Sequence, residues 1–146
     1  MNCFLCKIRY EKTLENGMNK KVTEPYLVDA LSFTEAEARI IEEMAPFISG
    51  EFTVSDIKRA NYSEVITSDN ISADKWYDCK IQFITLDEKS GAEKKTAARM
   101  LVQAADLTDA MKNLTDAMKD SMADYNAVCI KETAIMDVYR YKAKEG

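Results

Sequence analysis

The amino-acid sequence predicts an α+β fold in which a ββαββ unit occurs twice, with antiparallel sheet, two helices and pseudo-two-fold symmetry between the copies. Three observations predict it: an internal repeat of about 73 residues, alternation of apolar and polar residues as in half-buried strands, and two capped amphipathic segments. The chain of 146 residues has the length of one domain. We therefore expect residues 1–146 to form a single domain made of two repeats, about 1–70 and 74–146.

The repeat extends over three blocks of the sequence. Residues 6–10 align with 79–83, residues 20–44 with 94–118, and residues 52–65 with 125–138. The second block contains the identical pairs Lys20/Lys94, Lys21/Lys95, Leu27/Leu101, Val28/Val102, Ala30/Ala104, Thr34/Thr108, Ala36/Ala110 and Met44/Met118. Because the register persists through all three blocks, the sequence favours a duplication over coincidence.

Each copy begins with a predicted hairpin. Alternation predicts a first strand in each copy, carried by Phe4, Cys6, Ile8 and Tyr10 in one and by Tyr77, Cys79, Ile81 and Phe83 in the other. Gly17 and Gly91 follow, and glycine supplies the positive φ that tight hairpin turns require. The second strand is predicted over residues 21–30 and 95–104.

A helix follows each hairpin. Ser32 and Asp106 are predicted N-caps, with Glu35 and Asp109 three positions further on. The residues expected to face the sheet are Phe33, Ala36, Ile40, Ile41 and Met44, and then Leu107, Ala110, Met111, Leu114, Ala117 and Met118. Two more short strands are predicted in each copy, over 51–59 and 62–68 and over 125–132 and 135–141. The pattern does not decide whether the eight strands form one sheet or two.

The four cysteines are predicted to be reduced, buried thiols that bind no metal and form no disulfide. Cys3 and Cys6 form a C-x-x-C pair, and with Cys79 and Cys129 the number would suit zinc. Residues three apart on a strand, however, point to opposite faces. We expect Cys6 to share a buried environment with Cys79. We also expect the protein to bind no cofactor.

The composition argues against several classes of function. Histidine, the commonest general base and metal ligand, is absent. The net charge of -5 has the wrong sign for a protein that coats nucleic acid through its overall field. No motif of a hydrolase, a P-loop enzyme or a dinucleotide-binding enzyme occurs. A carboxylate pair of Glu24 and Asp29 would lie on opposite strand faces, so the sequence favours a binding protein over an enzyme.

Two sets of residues point to an anionic ligand. Lysines occur at equivalent positions of both copies: Lys7/Lys80, Lys20/Lys94, Lys21/Lys95 and Lys58/Lys131. Polar and aromatic residues also occur in one copy only, and the candidate ligand-binding residues are Thr23, Glu24, Tyr26, Lys58, Arg59, Asn61, Tyr62 and Arg99. The tyrosines would stack on a base and the cations would bind phosphate. Alternatively, the lysines solvate strand surfaces and the tyrosines are core aromatics with hydroxyls at the rim.

Residues 21–38 and the Cys-Lys-Ile segment near the start resemble a family of short proteins classified as a domain of unknown function in gut anaerobes and their phages. The family carries no established activity, so the resemblance implies no catalytic residue. It implies a cytoplasmic protein, phage-encoded, of a kind that includes inhibitors, nucleic-acid binders and traps for host signals.

Together these observations lead us to expect a non-enzymatic, cytoplasmic, homo-oligomeric protein that sequesters a small anionic nucleotide-type signal as a counter-defence trap. A single-stranded nucleic-acid-binding protein that uses strand lysines and sheet-face aromatics is the first alternative. A protein–protein inhibitor of a host factor is the second, and no residue of the sequence identifies its surface. No apolar run reaches the roughly 20 residues that a membrane span requires, so no membrane partner is expected.

Overall fold

The computed structural model describes residues 2–140, which form eight strands and two helices. The elements are β1 (Cys3–Thr13), β2 (Asn19–Asp29), α1 (Phe33–Met44), β3 (Phe52–Ala60), β4 (Glu64–Ile66), β5 (Lys75–Leu86), β6 (Glu93–Ala104), α2 (Leu107–Met118), β7 (Asp124–Glu132) and β8 (Val138–Tyr139). The predicted α+β class and the order ββαββ in each half are confirmed. The predicted last strands, 62–68 and 135–141, are shorter in the structure, and residue 141 lies outside the described residues.

The strands form two four-stranded sheets of equivalent topology, with the orders β3-β1-β2-β8 and β7-β5-β6-β4. Most neighbours are antiparallel, but β8 is parallel to β2 and β4 is parallel to β6. The predicted antiparallel sheet is confirmed for the long strands, and two short parallel pairs are added to it. The physical reason is that the last strand of each repeat enters the sheet formed by the other repeat.

Contacts divide the chain into two compact units that differ from the sequence repeats. Among the described residues, unit 1 comprises 2–61 and 134–140, and unit 2 comprises 62–133. Unit 1 thus contains β1, β2, α1, β3 and β8, and unit 2 contains β4 to β7 with α2. Each unit completes its sheet with a strand from the other repeat.

Each unit has a core between one face of its sheet and its helix. The unit 1 core contains Phe4, Cys6, Ile8, Val28, Ala30, Ala36, Ile40 and Met44. The unit 2 core contains Tyr77, Cys79, Ile81, Met100, Val102, Ala104, Ala110, Leu114 and Met118. The buried stripe of each helix is narrower than predicted and consists of positions four residues apart. Phe33, Ile41, Leu107, Met111 and Ala117 are exposed, although the ring of Phe33 still contacts Phe4 of β1.

Local features are repeated at equivalent positions of the two units. The side chain of Ser32 accepts a hydrogen bond from the Glu35 amide at 3.1 Å, and that of Asp106 accepts one from the Asp109 amide at 2.8 Å, so both predicted N-caps are confirmed. Gly17 and Gly91 have φ of 82° and 69°, as the hairpin turns require. Both outer strands carry a bulge in their pairing with the first strand of the unit, at Ser55 of β3 in unit 1 and at Val128 of β7 in unit 2.

The cysteines are free, but two expectations about them are wrong. Cys6 and Cys79 lie in the cores of different units because each packs under its own helix. Cys129 is exposed because β7 lies at the edge of its sheet. Cys3, Cys6 and Cys79 are buried. Of the two cysteines in the C-x-x-C pair, Cys6 belongs to the core under helix α1 and Cys3 does not.

Alkylation with iodoacetamide at pH 8 is expected to modify Cys129 first. Burial raises the pKa of the Cys6 and Cys79 thiols to about 11, so little reactive thiolate forms there, and the core also excludes the reagent. Mass spectrometry of peptides from briefly treated protein measures the order. Modification of Cys6 before Cys129 in folded protein would contradict the packing described above.

Candidate anion-binding site

A cationic and aromatic cluster lies where the edge strand of unit 1 ends beside the start of α1. Arg59 on β3 pairs in register with Phe4 on β1. Its guanidinium carbon lies 5.2 Å from the centre of the Phe4 ring and 5.6 Å from that of Phe33, the first residue of α1. The two rings meet edge to face with centroids 4.8 Å apart. We call these three residues the Arg59 cluster.

The Arg59 cluster combines a free cation with an open ring. Among residues 2–140, no carboxylate oxygen lies within 4.0 Å of a nitrogen of Arg59. Phe4 is fully buried, whereas Phe33 is 46% exposed and therefore presents part of its ring to solvent. A guanidinium held on aromatic faces keeps its N–H groups directed outward, where they bind phosphate in a bidentate geometry. The positive end of the α1 dipole adds to the local attraction for anions.

Unit 2 has the opposite charge at the equivalent place. Glu132 stands where unit 1 has Arg59, and it pairs in register with Tyr77, the counterpart of Phe4. Its carboxylate lies 3.8 Å from the Lys75 ammonium. Leu107 takes the place of Phe33. Since both units have the same topology, the fold does not require a cation here, and the Arg59 cluster is specific to unit 1.

The structure does not bring Lys58 and Asn61 into the Arg59 cluster. Lys58 precedes Arg59 on the strand, so its side chain points to the opposite face, where its ammonium lies 3.7 Å from Asp56. Asn61 follows β3 and is exposed. Of the three neighbouring candidates, Arg59 alone contacts the aromatic rings.

Glu24 and Tyr26 form a different cluster on the helix-side face of unit 1. Tyr10 donates a hydrogen bond of 2.6 Å to Glu24, and Tyr26 donates one of 3.5 Å to the same oxygen. The ring of Tyr26 stacks on Tyr139 with centroids 6.1 Å apart. We call these four residues the Glu24 cluster. Thr23 points to the other face of the same strand and is exposed.

The Glu24 cluster is unsuited to an anion. The Glu24 side chain is 12% exposed, and the ammonium of Lys12 lies 3.8 Å from it. Burial, followed by the hydrogen bond and the charge of Glu24, raises the pKa of Tyr10. Burial and then the charge of Glu24 raise the pKa of Tyr26 to about 12, so both hydroxyls remain donors at neutral pH. A phosphate here would meet a partly buried carboxylate.

Tyr62 and Arg99 lie together in unit 2, around a buried carboxylate. The guanidinium of Arg99 makes a two-point contact with Asp78, through Nε at 3.3 Å and through a second, shorter bond from its terminal nitrogen. Its carbon lies 5.2 Å from the centre of the Tyr62 ring. Asp78 is 6% exposed and Tyr62 is 7% exposed. We call these three residues the Asp78 cluster.

Burial of Tyr62 supports the interpretation of that tyrosine as a packing residue, which the sequence left open beside the stacking role. The charge of Arg99 is committed to Asp78, so it is a weaker candidate for phosphate than Arg59. Unit 1 has Leu5, Pro25 and Ile135 at the positions of Asp78, Arg99 and Tyr62. The Asp78 cluster therefore occupies positions that carry apolar residues in unit 1.

Sequence reasoning missed the aromatic members of the Arg59 cluster. Phe4 and Phe33 were assigned to the core because their spacing fits a strand and a helix face. The signal that could have found them is the repeat itself, which aligns Arg59 with Glu132 and Phe33 with Leu107. Between the two copies the charge reverses at one of these positions, and an aromatic residue is replaced by an aliphatic one at the other. Two such differences together indicate a site that is present in one copy and absent from the other.

Other places in the described chain offer less to an anion or a metal. A cleft of about 660 Å³ at the hairpin end of unit 1 is lined by Arg9 and Lys21 but also by Glu11 and Glu51, so its charges balance. Within residues 2–140, no group of three acidic, cysteine or histidine side chains is arranged to hold a metal ion. Neither helix of this part of the chain is long and apolar enough to cross a lipid bilayer.

Comparison with known proteins identifies a protein family that matches nearly the whole chain. A family model described as a domain of unknown function, DUF4494, matches residues 2–141. No curated protein and no solved structure matches the chain.

Proposed function

Given that the chain belongs to the DUF4494 family, a family of unknown function, we propose that it is a non-enzymatic binding protein for a small nucleotide-type anion. The ligand's phosphate would bind Arg59, and its base would stack on the exposed part of Phe33. The observation that carries this proposal is the Arg59 guanidinium, which lies on two aromatic rings and has no carboxylate partner among residues 2–140.

The absence of turnover in this proposal follows from the chemistry of the cluster. Arginine remains protonated at every physiological pH and cannot act as a general base. Phenylalanine rings offer a stacking surface and neither a nucleophile nor a proton. A site of this composition holds and neutralises an anion, so the bound ligand leaves as it arrived.

The biological setting that we propose is a phage-encoded, cytoplasmic, homo-oligomeric trap that removes a host signalling nucleotide. This setting rests on the family resemblance alone. A single-stranded nucleic-acid binder remains the alternative that a binding experiment separates most easily, because contacts to many phosphates give a steep salt dependence.

Substitution of Arg59 with glutamine is expected to weaken nucleotide binding by about 10- to 100-fold, because a charge-assisted hydrogen bond contributes roughly 1.5–3 kcal/mol. Glutamine keeps the aliphatic stem on Phe4, so the fold is retained. A thermal-shift screen against mono-, di- and cyclic nucleotides identifies the ligand, and calorimetry then compares its dissociation constants for the wild-type and variant proteins.

Lys58→Ala is the matched control, because Lys58 is adjacent in the chain but faces away and pairs with Asp56. We expect its ligand affinity to equal that of the wild type. Equal losses in both variants would show that general charge, rather than the Arg59 cluster, attracts the ligand. Tight binding of oligonucleotides with a steep salt slope, without nucleotide binding, would replace this proposal with the nucleic-acid alternative.

A further inference from the structure

An exposed apolar surface lies in unit 2, between the first turns of α2 and the edge strand β7. A groove of about 390 Å³ is lined by Leu107, Thr108, Met111, Ala127, Val128, Cys129 and Ile130. Leu107, Met111 and Val128 are each about half exposed, at 55%, 57% and 49%. Cys129 is exposed as well. We call this surface the β7 groove.

The equivalent surface of unit 1 shows that the fold does not require these apolar residues. Positions equivalent to Met111, Val128 and Cys129 carry Glu37, Ser55 and Asp56. The local backbone is the same, since Ser55 and Val128 both occupy the bulge of their strands. Ser55 uses its hydroxyl to bond the Lys7 carbonyl at 3.3 Å. At these positions unit 1 therefore has polar side chains, whereas unit 2 exposes apolar side chains to solvent.

Strand β7 also offers a free backbone edge. It lies at the end of its sheet and pairs only with β5 among the described strands. No charged residue occurs from Tyr125 to Ile130. Edge strands are normally protected by charges, because an open edge pairs with any extended chain that reaches it. An unprotected edge beside an apolar groove has the two components that strand addition uses, backbone bonds for affinity and pockets for alternate side chains.

We propose that the β7 groove binds an extended apolar segment of a partner protein, which adds to the sheet as a strand alongside β7. The exposed apolar residues of this surface are few, Leu107, Met111, Val128 and Cys129, against the roughly 20–30 residues that each partner contributes to a stable interface. The patch is too small for a dimer of two chains through this face, and it suits a linear segment of about four or five residues. Acidic Asp124 and basic Lys131 at the two ends of the apolar run favour a segment with a basic residue at one end and an acidic residue at the other.

The experiment is selection from a displayed library of random nine-residue peptides on the full chain, with counter-selection on the double variant Val128→Ser, Cys129→Asp. This variant carries the residues that unit 1 has at these places, so it is expected to fold. We expect enriched peptides with apolar residues at alternate positions, at least 10-fold tighter binding to the wild type, and slowed amide exchange along β7. Met111→Glu introduces on α2 the residue type that unit 1 has at the equivalent position. It should weaken binding of the same peptides without any change to strand β7.

Three results would overturn the proposal: no peptide enriched on the wild type over the double variant, enriched peptides with helical three- and four-residue spacing, or equal binding to Met111→Glu. A concentration-dependent dimer that the double variant abolishes would assign the surface to a second copy of the chain and also overturn it. Nucleotide binding at the Arg59 cluster should be the same in the double variant, so the two proposals fail separately.

Discussion

Arg99→Met is expected to lower the free energy of unfolding by about 3 kcal/mol, because it leaves the Asp78 carboxylate buried without its partner. The Asp78 side chain is 7% exposed and that of Arg99 is 47% exposed, so some water reaches the abandoned carboxylate. This access keeps the loss at the lower end of the range for buried ion pairs. Urea denaturation followed by circular dichroism measures the change.

Two control variants test whether the expected loss of stability comes from burial of the Asp78 carboxylate or from loss of an ion pair as such. Lys58→Met breaks an exposed pair with Asp56 and should cost less than about 1 kcal/mol. The double variant Asp78→Leu, Arg99→Met should recover most of the lost stability, since unit 1 has the apolar residues Leu5 and Pro25 at these positions. A loss no larger than that of Lys58→Met would show that the Asp78 cluster does not stabilise unit 2.

The second large effect is expected at equivalent core positions of the two helices. Ile40 on α1 is fully buried and Leu114 on α2 is 2% exposed, and the repeat aligns them. Truncation of either to alanine should cost about 3 kcal/mol, through lost apolar contact and the cavity that remains. If the units are copies of one design, the two losses should agree within about 1 kcal/mol.

The exposed helix positions Glu37 and Met111 provide the matched control pair. Their substitution with alanine should change the free energy of unfolding by no more than about 0.5 kcal/mol. Denaturant unfolding measures all four variants. A large loss at Ile40 with a negligible one at Leu114 would mean that the two helices do not have equivalent structural roles.

The sequence predicted the elements of the fold because each has a local physical cause. Alternation placed Phe4, Cys6 and Ile8 on one strand face, and the capping side chains placed the starts of both helices. The exchange of β4 and β8 between the sheets could not be read, because strands of three and two residues carry too little pattern to specify a partner. For the same reason the sequence did not decide between one sheet and two.

The candidate ligand-binding residues were predicted as one group, and the structure distributes them among clusters with different chemistry. Arg59 lies on aromatic rings, Glu24 and Tyr26 belong to a tyrosine–carboxylate cluster, and Tyr62 is buried beside Arg99. Residue type alone predicts that a lysine or arginine binds anions, but the availability of its charge depends on cross-strand neighbours. Asp78 neutralises Arg99, whereas Arg59 has no such neighbour among residues 2–140.

The most direct test of nucleotide binding is the stoichiometry of the ligand measured by calorimetry. Because unit 1 has Arg59 and unit 2 has Glu132 at the equivalent place, the site predicts one ligand per chain, recovered chemically intact after denaturation. Arg59→Glu should abolish the binding heat. Two ligands per chain would place binding at the duplicated lysines, and one ligand that persists in Arg59→Glu would place it elsewhere; either result would contradict the assignment of the Arg59 cluster.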